Sequence, residues 1–153
     1  LPMIDAQAEP SIYHLIRAKA AGLGASVLAL NGIADHVHLV ASVPPRVAVA
    51  DFIGQVKGAT SARYNQAEAR EMPLVWQDEY GVFSFDAKRV PHLVAYVEKQ
   101  KEHHLHNQLI RVLERTDEAT LAFVQESQGH YLEDEAAWWR EMETMDDQGL
   151  EAL

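Results

Sequence analysis

The sequence predicts an α+β domain built on an antiparallel sheet, and three observations support that class. Two β-type runs, residues 25–31 and 35–42, are separated only by a short turn at Gly32, the spacing of an antiparallel hairpin. Apolar residues of helical period lie on both sides of that hairpin. A third run, residues 80–85, is rich in aromatic and β-branched side chains and reads as another strand.

In chain order, residues 9–21 carry Ile12, Leu15, Ile16 and Ala20 at helical spacing, with Gly22 and Gly24 as stop signals. The hairpin follows and ends at Pro44 and Pro45, which cannot donate to a ladder. A second helix spans 49–66 through Phe52, Ile53, Val56, Ala59 and Tyr64. Gly58 inside it costs about 1 kcal/mol against alanine, so a close approach of another backbone is the expected reason for it. Pro91 suits the first turn of a long helix from about 90 past Leu109, with Leu93, Val94, Val97, Leu105 and Leu109 as apolar positions. Beyond it, Thr116, Asp117 and Glu118 read as a helix start, and Leu132, Ala136, Trp139 and Met142 form one stripe.

Charge divides the 153 residues in two. Residues 1–112 carry 11 acidic and 11 basic side chains, whereas 113–153 carry 12 acidic and 2 basic, which accounts for the net charge of −10. We therefore expect a domain over 1–112 and an acidic helical extension over 113–153. An evenly spread negative charge would argue against a nucleic-acid partner, but a charge confined to the tail does not. The absence of cysteine excludes disulfides, thiolate metal sites and thiol nucleophiles. With no apolar run near 18 residues and no signal-peptide pattern, the expectation is a cytoplasmic protein with no membrane partner.

His36 and His38 stand out within the second run. In a strand they project from one face while Val37 projects from the other, about 7 Å separating the two imidazoles along the backbone. The pair reads either as a metal grip or as two partly exposed histidines. On the long helix, Tyr96 and Gln100 stand four residues apart and share a face. Taken alone, they also read as an amphipathic surface tyrosine and a solvated glutamine.

Four features occur in one order: Asp35 to Leu39 with its two histidines, Lys57-Gly-Ala-Thr-Ser61, Trp76 and Gln77 leading to Tyr80-Gly-Val-Phe-Ser84, and Tyr96 followed by Gln100, His103 and His104. Together they resemble the single-tyrosine transposases of the IS200/IS605 type, including relatives associated with repetitive extragenic palindromes. The likeness runs from about Ile4 to Leu109.

The resemblance implies a ferredoxin-like antiparallel sheet with helices on one face, followed by the long helix and, here, the acidic tail. The family's first strand, normally beside the histidine strand, has no counterpart before helix one, and the expectation is that it is missing. For the site, the resemblance implies that His36, His38 and Gln100 hold a divalent metal, Mg²⁺ or Mn²⁺, and that Tyr96 is the nucleophile. The reaction implied is cleavage and rejoining of hairpin-bearing single-stranded DNA through a 5′-phosphotyrosine intermediate. It also implies a homodimer in which the Tyr96 helix completes the site of the other protomer.

Arg46, Lys57, Arg63, Lys88 and Arg89 are the cations expected to meet DNA phosphates, the alternative being ordinary solvated surface. His103, His104 and His106 read as extra ligands or as a polar helix face, and Trp76, Tyr80 and Phe83 as base-stacking or core residues. Two other functions remain open: a nucleic-acid-binding module that retains the fold without catalysis, and a phosphodiesterase in which water replaces the tyrosine.

Overall fold

The computed structural model describes residues 3–67, 73–111 and 113–114. They fall into two compact units, one formed by 1–77 with 93–102, the other by 78–92 with the chain from 103 on. The helix start at Thr116 to Glu118 and the stripe from Leu132 to Met142 lie outside the described residues, as does nearly all of the acidic extension.

In the first unit the order is α1 (Glu9–Gly22), β1 (Ser26–Gly32), β2 (Val37–Ser42) and α2 (Val49–Ala67), with most of α3 (Val90–Glu98) following. α1 begins where the Asp5 carboxylate accepts the N–H groups of Gln7 and Ala8, at 2.9 and 2.7 Å, and Pro10 fits the opening turn. It ends in a paired closure. The Ala25 N–H donates to the Ala20 carbonyl and the Gly24 N–H to that of Ala21, with Gly24 left-handed at φ 83°. A Cβ on Gly24 would meet the mobile end of the Arg46 side chain, which can move aside, so it is the left-handed backbone that favours glycine there.

α1 packs on α2 and β1. Ile12, Ile16 and Ala20 of α1 meet Phe52, Val56 and Tyr64 of α2; with buried Thr60 between the last two, both series run at intervals of four that keep one face buried. Each fully buried large apolar side chain contributes roughly 1.5–3 kcal/mol. Residues 73–77 join this core without a ladder. The Asn65 side chain accepts the Leu74 N–H at 2.7 Å and donates to the Leu74 carbonyl at 3.0 Å, while Lys57 Nζ donates to the Gln77 carbonyl at 2.7 Å. Trp76 packs against the same core.

β1 and β2 pair antiparallel, with Leu30 opposite Leu39, Asn31 opposite His38 and Gly32 opposite Val37. An irregularity between Val27 and Ala29 leaves Leu28 exposed. Val37 and Leu39 pack against the core, so the expected alternation of β2 holds, although the strand begins at Val37 rather than at residue 35. Gly32 is the close approach that sequence had placed at Gly58. A Cβ at Gly32 would fall 2.2 Å from the His36 carbonyl oxygen, whereas one at Gly58 meets nothing within 4 Å. Among the described residues the sheet has two strands, and the N–H groups of Met3 and Ile4 both donate to the Ala34 carbonyl in the turn between them.

Two expectations about the later chain are corrected. Residues 80–85, in the second unit, form no strand, and Tyr80, Val82 and Phe83 are exposed. β-type side chains do not make a strand without a ladder to join. The long helix is also divided. α3 stops at Glu98, α4 (Gln100–Leu105) follows, and Asn107 at φ 54° closes the run before Leu109. There the Gln108 N–H donates to the His103 carbonyl and the Asn107 N–H to that of His104, the same paired closure that ends α1. α3 is preceded by Asp86, which accepts the Arg89 N–H at 3.1 Å and its guanidinium at 2.7 Å.

Candidate functional site

The site is built on the β2 face that turns away from the core. His36, just before β2, and His38, within it, bring their rings edge to face with centroids 5.1 Å apart. His36 Nδ1 lies 2.7 Å from the Asp35 carboxylate. A carboxylate only accepts, so Nδ1 carries the proton, and in the neutral ring the lone pair then lies at Nε2. Asp35 therefore orients the ring and selects its tautomer, the arrangement usual behind a metal-binding imidazole. The His36 side chain is only 16% exposed, which limits its freedom further.

α3 supplies the third side chain. The Tyr96 ring lies 6.4 Å from that of His38, centroid to centroid, with their planes 72° apart. Tyr96 and Gln100 are 3% and 0% exposed, so neither is the surface residue that an isolated reading of the pair allowed. The chain between them is not one helix: it passes from α3 into α4 at Lys99, and both side chains are nonetheless buried.

Asn31 is the residue that sequence reasoning passed over. It stands opposite His38 in the ladder, so the two side chains rise from the same face. Its Nδ2 donates to the carbonyl of Glu98, the last residue of α3, at 2.8 Å. A lone asparagine in an apolar strand carries no periodic signal, and this contact joins positions 67 residues apart. A second tie lies nearby in the ion pair between Lys101 and Glu9.

The five cations differ in their surroundings. Arg46, Arg63 and Lys88 are exposed, Lys57 is engaged with the Gln77 carbonyl, and Arg89 is paired with Asp86. Tyr80 and Phe83 are exposed rather than core residues, while Trp76 belongs to the core. His103 and His104 are half-buried and His106 exposed, with His104 Nε2 3.1 Å from the Glu114 carboxylate in the second unit. No described helix is long and apolar enough to cross a membrane.

Comparison with known proteins bears on the family of the chain. ISDra2 transposase TnpA of Deinococcus radiodurans is 28% identical over 96 residues, covering 60% of this chain and 69% of the relative. A crystal structure of a candidate transposase from the same organism superposes with a TM-score of 0.50 at 22% identity, covering 65% of this chain and 80% of that one, a likeness of fold. The family described as "Transposase IS200 like" matches residues 2–100, a span that takes in the hairpin, both histidines, Tyr96 and Gln100. With that match across most of the chain, the protein belongs to the IS200-like transposase family.

Proposed function

We propose that the protein cleaves and rejoins single-stranded DNA, with Tyr96 as nucleophile and His36, His38 and Gln100 as ligands of a divalent metal. One observation carries the reading: a tyrosine 58 positions away from His38 in sequence has its ring 6.4 Å from that imidazole. Two imidazole nitrogens and one amide oxygen fit a borderline divalent cation, and suit Mn²⁺ better than Mg²⁺, which prefers oxygen ligands. When bound, the ion would supply charge stabilisation at a phosphate oxygen.

The chain's own residues do the rest. The Tyr96 oxygen forms a bond to phosphorus, the bond from phosphorus to the 3′ oxygen breaks, and the electron pair leaves on that oxygen. A free 3′-hydroxyl and a 5′-phosphotyrosine result, the phenolic proton passing to solvent and the leaving 3′ oxygen taking a proton from it. A phenol ionises near pH 10, so Tyr96 needs help to react at neutral pH. At 3% exposure the Tyr96 side chain is largely covered. Asp35 holds His36 in the tautomer that leaves Nε2 available. Arg46, Lys57, Arg63, Lys88 and Arg89 are the proposed phosphate contacts, the three exposed ones being immediately accessible.

The same reading makes the hairpin and its helices part of a ferredoxin-like sandwich, with 1–112 as the catalytic domain. The substrate is hairpin-bearing DNA, and the working form is a homodimer whose Tyr96 helix serves either protomer. Incubation with such DNA and Mn²⁺ is expected to give a covalent adduct that a chelator prevents and Tyr96→Phe abolishes. An undiminished adduct in Tyr96→Phe refutes the assignment. The burial of Tyr96 favours one competing reading, a nucleic-acid-binding module without catalysis. It predicts metal-independent DNA binding with no adduct. Cleavage retained by Tyr96→Phe would instead indicate water as nucleophile.

A further inference from the structure

We infer that Asn31 is a positioning residue, whose side-chain amide sets the height of Tyr96 and Gln100 against the histidine strand. The inference rests on the proposed roles of those residues but names a part of the machinery that they do not include.

Three observations carry it. The Asn31 amide is held at both ends: its Oδ1 accepts the Gly32 N–H at 3.0 Å and its Nδ2 donates to the Glu98 carbonyl at 2.8 Å. Reversing the amide would lose both bonds and set oxygen against oxygen, so the pattern itself fixes its orientation. Second, the bond lands on the terminal carbonyl of α3, a group that lacks a full complement of helical partners and must find one elsewhere. Glu98 lies midway between Tyr96 and Gln100, so a single bond governs both. Third, Asn31 faces His38 across the ladder, and His38 is the imidazole that Tyr96 approaches. The short path from imidazole to nucleophile thus runs across one rung of the hairpin and one hydrogen bond.

Displacing a nucleophile by about 1 Å can cost about a hundredfold in rate. Asn31→Asp and Asn31→Ala separate positioning from a merely structural part. Aspartate keeps the acceptor for the Gly32 N–H but places a carboxylate oxygen against the Glu98 carbonyl, whereas alanine loses both bonds. Positioning predicts that Asn31→Asp is impaired at least as much as Asn31→Ala. The rate of adduct formation at saturating DNA should fall at least about tenfold, and the DNA concentration giving half that rate should change by less than about twofold. In solution NMR, the nuclear Overhauser contact between the His38 and Tyr96 rings should weaken in both variants, whether or not the protein is active.

An Asn31→Asp variant that forms adduct at the wild-type rate overturns the inference. So does a rate that falls only in step with DNA affinity and melting temperature, because that pattern marks a fold residue. If the wild type forms no Tyr96 adduct, the functional reading fails, and the ring contact in wild type and variants still decides the placement.

Discussion

At the scale of single residues, two side chains away from the proposed chemistry have measurable consequences. Burial raises the Tyr13 phenol well above its ordinary value of 10.0, with the nearby Glu9 carboxylate reinforcing the shift and Arg17 opposing it. The unfolded chain loses that proton first as pH rises. The stability tied to neutral Tyr13 is therefore complete below about pH 10 and is lost progressively above it. Denaturant melts across that range should show a shallower decline for Tyr13→Phe than for wild type; equal slopes would contradict the shift. Asn65 is the second case, because its amide serves both the N–H and the carbonyl of buried Leu74. Asn65→Ala leaves both without that partner and should cost about 1–3 kcal/mol in urea unfolding. An unchanged midpoint would mean that the 73–77 segment is held by its apolar contacts alone.

At the scale of elements, the contrast between two glycines tests how the histidine hairpin is made. Gly32→Ala would push a methyl into the His36 carbonyl, at a backbone that cannot yield without moving the first histidine. It should destabilise the protein by about 2 kcal/mol or more and lower metal uptake measured by calorimetry. Gly58→Ala lies in the interior of α2 with open space at its Cβ, and should gain about 0.5–1 kcal/mol. Similar effects for the two substitutions would show the turn to be more compliant than its close contact implies. α3 and α4 illustrate the converse of a local rule. Apolar periodicity continues past residue 98, yet the helix divides beside the carbonyl that Asn31 engages, a bond with no counterpart in the helix's own sequence.

At the scale of the whole molecule, charge is the property that sequence states most plainly. Residues 113–153 hold 12 acidic and 2 basic side chains, and their field opposes a DNA partner. Deleting 117–153 should raise affinity for single-stranded DNA at low salt, with the gain shrinking as salt screens it. Fluorescence anisotropy at two ionic strengths measures this, and equal or weaker binding by the truncated chain would dismiss the electrostatic account. By itself, the sequence determined α1, the hairpin and α2, because their signals are local: apolar residues at helical period, stop signals at Gly22 and Gly24, and alternation about Val37. It also pointed to His36 and His38 on the same side, opposite Val37, although β2 itself begins only at Val37. Only the tertiary structure decided that residues 80–85 stay outside the sheet, because a strand exists by virtue of its partner. The motif resemblance had grouped Tyr96 with the histidines, but only the tertiary structure gave their 6.4 Å ring separation and tied α3 to Asn31, since contacts across 58 and 67 positions leave no periodic trace in the chain.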